Sequence, residues 1–164
     1  MCLPLLVGMG VLLGSLLSYG MATDLIVRVV VRLLRSRHSE FGFCRSVAVM
    51  IIVTFITAAA HLTQITLWSA AFLACSEIST FEKAFYFSAV NYTTLGYGDI
   101  VLSDPWRLLG PLEAINGVLL FGLSTAVMFA VMSRLITNRL RFRLSRLGEP
   151  APDKQDVRSS VRPT

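Results

Sequence analysis

The chain has 164 residues, 54% of them hydrophobic and 15% charged, with a net charge of +5 and a pI near 9.6. So apolar a composition excludes an ordinary water-soluble domain. The basic surplus calls for no nucleic-acid partner, because it flanks long apolar runs, where anionic lipid attracts it.

Three runs decide the class. Leu3 to Thr23 and Ser46 to Ser76 carry no Asp, Glu, Lys or Arg, and Pro111 to Ser133 carries Glu113 alone. A bilayer-crossing helix needs about 20 mostly apolar residues, so each run is long enough. The first has no basic residue ahead of it and no clear small-x-small site before Asp24, so a retained helix is expected rather than a cleaved signal. Residues 1–45 therefore read as a transmembrane helix followed by a basic loop. Residues 24–37 continue that helix or bend along the membrane surface. Arg28, Arg32 and Arg35 form one stripe on it. Voltage-sensing arginines recur at every third position within the membrane, whereas this stripe is spaced four then three at the inner end, and it reads as lipid-facing.

Residues 46–75 form the second spanning helix. Thr54, Thr57, His61 and Gln64 line one face of it, which favours packing on protein over lipid. His61 reads either as a functional intramembrane group or as a neutral imidazole bonded to a neighbouring helix. Cys2, Cys44 and Cys75 are too few and too scattered for a metal site or a disulfide framework, and pairing of Cys2 with Cys75 is not expected.

The connection over 76–110 is more than a plain loop. "SEISTFEKAFYFSAVNYTT" predicts a helix over 80–92, with Ser79 and Glu82 at the spacing of a capping box. Three turns are too short to cross a bilayer. A short apolar helix, then a glycine-rich loop, then another spanning helix indicates re-entry into the membrane. There, irregular backbone survives beside protein or a water-filled path. Residues 108–137 form the last spanning helix. Residues 138–164 are a basic tail whose first part extends the helix, with disorder expected beyond Gly148.

Arginine sets the orientation. Arg28, Arg32, Arg35, Arg37 and Arg45 lie between the first two spans, and Arg134, Arg139, Arg141, Arg143 and Arg146 follow the third. The 76–110 connection carries Lys83 and Arg107 against Glu77, Glu82, Asp99 and Asp104. The N-terminus and this connection are therefore expected outside, and the basic loop and tail inside, in a cell membrane.

"NYTTLGYGDIV", residues 91–101, offers little side-chain chemistry, so its main chain must act. Glycine reaches left-handed backbone without a Cβ penalty, and Gly96 and Gly98 alternate with Leu95 and Tyr97. Alternation of this kind can bring successive carbonyl oxygens to one axis, where they replace an ion's hydration shell. Between two spanning helices, "TTLGYGD" resembles the potassium channel pore module over about residues 47–137. The resemblance implies an all-α membrane protein with three transmembrane helices, a re-entrant pore helix and a filter loop at 94–98, closed by four identical chains around a pore. It implies K⁺ at the oxygens of Thr94, Leu95, Gly96 and Tyr97, with Gly98 completing the mouth and Thr93, Asn91 and Asp99 in support. On the inner helix it implies that Gly117, Phe121, Thr125 and Phe129 serve the cavity or the gate. Gly117 reads as a hinge or as a site of close packing.

The chain departs from the common pattern of that family. Leu95 replaces the usual Val. Val90 stands where some members have a Glu bonded to the filter Asp, which leaves Asp99 in want of a partner. Tyr86 and Phe87 stand in place of a Trp pair. A bond between Tyr97 and Asn91 is a candidate substitute. Glu113 reads as a pH-tuning acid or as a hydrogen-bonded anchor for the pore helix.

These observations favour passive, selective K⁺ conduction by a homotetramer, with K⁺ as permeant ion, no organic cofactor, and anionic lipid at the basic segments. The alternatives are a poorly selective cation channel and a non-conducting membrane partner protein. No nucleophile, metal cluster or phosphate loop suggests an enzyme.

Overall fold

The computed structural model describes residues 2–35 and 43–147. Four helices account for most of them: α1 (Cys2–Arg35), α2 (Phe43–Ala74), α3 (Phe81–Tyr92) and α4 (Leu109–Leu147). The fold is all-α. Leu3–Leu33, Cys44–Ala74 and Leu109–Leu140 are long and apolar enough to cross a membrane, so this is a multi-pass membrane protein. α1 continues through its arginine stripe as one helix. Within it, Arg28 pairs with Asp24 one turn back, at 2.6 Å. α4 continues into the first part of the tail, as expected, and reaches Leu147, because Arg139, Leu140 and Arg141 are all good helix formers. The disorder expected beyond Gly148 falls outside the described residues.

The ends of the helices position the connection between them. α2 stops where Ser76 turns left-handed, at φ 56. Glu77 N–H then reaches the Phe72 carbonyl and Ser76 N–H the Leu73 carbonyl, which together satisfy two orphan carbonyls of the last turn. The Glu77 carboxylate accepts two bonds from Ser103, from N–H at 2.8 Å and from Oγ–H at 2.7 Å, and so clasps the two ends of the connection between α2 and α4. Cys75, next to this turn, is a free thiol, pushed up by burial first and by the nearby Glu77 second.

The start of α3 corrects one expectation. Thr80, in extended backbone, is the N-cap, and no side chain caps the helix. The capping box of Ser79 with Glu82 is not formed because the helix begins one residue later than that pairing requires. Glu82 still sits in the first turn, where the helix dipole favours a negative charge.

α3 packs on α2 and α4, and α1 packs on the same two helices. Three apolar clusters hold this arrangement. At one end, Trp68, Phe72, Phe87, Leu102 and Leu109 bind the outer connection to the helices, with the Phe72 and Phe87 rings edge-on at 5.0 Å. At the other, Ile26, Val30, Val49, Val53, Val131 and Leu135 join α1, α2 and α4. Between them, Tyr19, Ala60, Ile65, Tyr92 and Leu120 draw one or more residues from every helix.

The polar stripe on α2 divides its work. Thr57 bonds its own helix at the Val53 carbonyl. Gln64 donates to the Ser15 carbonyl at 3.2 Å and to Ser18 Oγ at 2.8 Å, both on α1. Gln64→Leu is expected to weaken α1 docking by about 0.6–2 kcal/mol, read as reversible unfolding in detergent. An unchanged value would mean that α1 is held by apolar packing alone.

Candidate functional site

The loop after α3 spends its donors and keeps its acceptors. Thr94 N–H bonds the Asn91 carbonyl at 2.9 Å, and Leu95 and Gly96 N–H both reach the Val90 carbonyl, at 2.9 and 3.4 Å. Thr93 turns its hydroxyl back to the Ala89 carbonyl at 2.7 Å. The first three amides of the loop are thus tied to the last turn of α3. Among the described residues, nothing donates to the carbonyls of Thr94, Leu95, Gly96, Tyr97 or Gly98.

The backbone alternates in hand. Thr94, Gly96 and Gly98 have φ of 60, 57 and 77, whereas Leu95 and Tyr97 stay in ordinary negative-φ backbone. The glycines were legible from their type. Thr94 was not, because left-handed backbone costs a Cβ-bearing residue roughly 1–2 kcal/mol. Its signal is the phase of the alternation alone. The loop is exposed in the single chain: Leu95 is 53% and Tyr97 67% accessible. A Cβ built on Gly96 or Gly98 meets nothing within 4 Å. No group of three or more His, Cys, Asp or Glu comes together among the described residues. The oxygens the loop offers a cation are therefore those of its main chain, with the Thr94 hydroxyl.

Asp99 sits near the Tyr86 phenol and, as the leading influence on it, holds Tyr86 above its ordinary pKa. Asn91 does not meet Tyr97 within one chain. It packs beside Gly110 of α4, while Tyr97 points outward.

Behind the loop, α3 is pinned to its neighbours at three points. Gly117 lies so close that a Cβ there would stand 2.1 Å from the Tyr92 carbonyl oxygen. Ser88 Oγ contacts the Ile65 carbonyl at 2.8 Å and the fully buried Glu113 at Oε1. One hydroxyl hydrogen cannot serve both acceptors. Each oxygen has a hydrogen when Ser88 donates to Ile65 and the Glu113 carboxyl donates to Ser88. Glu113 and Ser88 thus join α4 to α3 behind the loop. The third pin is His61, whose Nδ1 lies 2.7 Å from the Tyr92 hydroxyl and whose Nε2 lies 2.8 Å from Ser124 Oγ on α4.

A short helix wedged between two long ones, ending in a loop of free carbonyls, is a pore arrangement, and comparison with known proteins agrees. The family model described as "Ion channel" matches residues 48–134, more than half of the chain. The chain belongs to the ion channel family. It is 27% identical over 110 residues to the A-type voltage-gated potassium channel KCND3 of Homo sapiens, and equally to that of Rattus norvegicus. That match covers 66% of this chain and 16% of each relative, so the channel spans a small part of their length. No solved structure matches.

α4 is the last spanning helix. On it Thr125, 72%-exposed Phe129 and Gly122 lie open on the single chain. Phe121, expected to serve the cavity or the gate, has its ring packed on His61 at 4.8 Å and edge-on to Tyr92 at 5.3 Å, with 39% accessible. Sequence reading missed Tyr19, Ser88, Tyr92 and Ser124. The tyrosines carried a signal, since a buried phenol in an apolar helix must find a partner.

The two inner-helix glycines are expected to respond differently. Gly117→Ala forces α3 away from α4 and should prevent stable assembly. Gly122→Ala meets nothing within 4 Å and should be neutral or gain up to about 1 kcal/mol. Melting of the purified variants checks this, and equal behaviour would contradict close packing at Gly117. For Glu113, the Gln variant keeps a donor for Ser88 and should melt close to wild type. Glu113→Leu should lose about 1–3 kcal/mol. If Gln and Leu cost the same, the hydrogen bond to Ser88 is not what anchors α3.

Proposed function

We propose that the channel conducts K⁺ passively and selectively as a homotetramer, with residues 94–98 as its filter. The observation that carries this reading is the loop whose first three amides, those of Thr94, Leu95 and Gly96, are tied to α3 while the carbonyls of residues 94–98 receive no donor among the described residues. A row of unshared oxygens is a surface for cations. In an apolar membrane it replaces a hydration shell that the ion must leave behind. The glycine-spaced change of hand is the conformation that lets neighbouring carbonyls face one side. K⁺ would be held by the oxygens of Thr94, Leu95, Gly96 and Tyr97, with Gly98 at the mouth.

One copy supplies one wall. Exposure of the loop, and of Ile115, Val118, Leu119, Phe129 and Met132 on α4, supports closure by identical neighbours around an axis. So does the apolar groove between α2 and α4 lined by Met50, Thr54, Phe55, Met132 and Ile136. The carbonyl end of each α3 leads into the filter, where its dipole favours a cation. Asp99, Glu77 and Glu82 all belong to the connection read as external, and four copies would gather cations at the entrance. The exposed Arg28, Arg32 and Arg134 support the opposite face as cytoplasmic and bound by anionic lipid.

The test is ion flux from liposomes containing the purified protein. K⁺ and Rb⁺ are expected to leave and Na⁺ to be retained. Gly96→Ala, which puts a Cβ on left-handed backbone at φ 57, should abolish flux. Equal passage of Na⁺ would replace this reading with a poorly selective cation pore. Absence of flux would favour a non-conducting membrane protein.

A further inference from the structure

His61 is the centre of a hydrogen-bond chain that joins all four helices. Tyr92 is the last residue of α3 and leads directly into Thr93 and Thr94. Its hydroxyl meets His61 Nδ1 at 2.7 Å, and the other ring nitrogen meets Ser124 Oγ at 2.8 Å. Ser124 Oγ also lies 2.7 Å from the Tyr19 hydroxyl on α1 and 2.7 Å from the Leu120 carbonyl. Tyr19, Tyr92 and Ser124 are buried and His61 is half-buried.

Counting hydrogens selects one arrangement. The Leu120 carbonyl can only accept, so Ser124 donates to it. Ser124 Oγ then accepts from Tyr19 and from His61 Nε2–H, which fills both of its lone pairs. His61 Nδ1 is left bare and accepts from Tyr92. Every hydrogen in the chain is used, and the imidazole must be neutral. If Ser124 instead donates to His61, Nδ1 carries the hydrogen and the Tyr92 hydroxyl has no acceptor among the described residues.

We propose that this chain is a brace behind the filter, with His61 as its positioning residue, and that protonation of His61 releases Tyr92 and shuts conduction. A proton on Nδ1 opposes the Tyr92 hydroxyl hydrogen along the same line. The phenol must turn to accept, and its own hydrogen loses its partner in a buried site. Tyr92 is also the residue whose carbonyl rests on Gly117, so freeing its side chain loosens the turn from which the filter emerges. The same geometry involves α1, which through Tyr19 orients Ser124, and Ser124 in turn orients the imidazole.

The groups facing His61 are few. From α1 there is the Tyr19 phenol, from α3 the Tyr92 phenol, and from α4 the Ser124 hydroxyl and the Phe121 ring. Glu113, the acidic side chain within α4, is engaged with Ser88 and does not contact the ring. No carboxylate or cationic side chain of the described residues acts on His61. An added proton therefore has no counter-ion there to hold it.

This inference rests on the conduction reading, and the test separates the two. K⁺ flux from liposomes is measured with both faces at about pH 8 and again at about pH 5, for wild type, His61→Gln and Tyr92→Phe. Wild-type flux should fall roughly tenfold on acidification. His61→Gln, whose amide donates and accepts but does not titrate in this range, should keep flux at both. Tyr92→Phe should give low flux at both, because the brace is already open. Wild-type flux that is the same at both, or acid inhibition that persists in His61→Gln, overturns the brace. Absence of wild-type flux at either pH counts against conduction instead, and the brace is then judged by melting. Acid should lower the melting temperature of wild type more than that of His61→Gln, and equal shifts overturn it.

Discussion

Inside a membrane no water is at hand to satisfy a main-chain carbonyl, so each one must be hydrogen-bonded or must serve an ion. Nearly all of this protein obeys the first option through long helices. The carbonyls of residues 94–98 have no donor among the described residues, and the proposed function assigns them the second. The amides of Thr94, Leu95 and Gly96 are drawn back onto the Asn91 and Val90 carbonyls. The rest of the architecture exists to hold those few residues in a backbone that alternates in hand and that would collapse into ordinary turn geometry if left alone.

The support is correspondingly dense. α3 is a helix of three turns and has little stability of its own. It is fixed by buried Phe87 and Ala84 on its apolar side, by Ser88 against Glu113 and Ile65, and by Tyr92 against both Gly117 and His61. Ala84, Ser88 and Tyr92 recur at every fourth residue, so these contacts run along one side of the helix, where they reach both α2 and α4. Glu77 with Ser103 closes the connection between α2 and α4. α1 lies outside the matched family region, yet through Tyr19 and Gln64 it takes part in the same polar framework.

The sequence carried the spans, the short helix and the loop, because each depends on a local pattern: uninterrupted apolar runs, helical spacing of aromatics, glycine at every second residue. What it did not carry was pairing between helices. The four polar residues on α2 fall on one face, but whether His61 turned to α3 or Gln64 to α1 depends on how three helices meet. Thr94 offered no sign of its left-handed backbone, since its residue type argues against it. Tyr86 stood out as a departure from the family, and its nearness to Asp99 became visible once the loop was placed. The capping box failed for the opposite reason: the pattern was present, but the chain enters α3 one residue later than the pattern assumes.

The central claim is that the free carbonyls of several copies converge on a common axis and hold dehydrated cations. Diffraction from crystals of the assembled protein soaked in Tl⁺, an anomalous scatterer close in size to K⁺, reads this most directly. The claim predicts a column of anomalous peaks on a fourfold axis, each ringed by main-chain oxygens from residues 94–97. An assembly without such an axis, or one in which those oxygens turn outward and the column is missing, would contradict it.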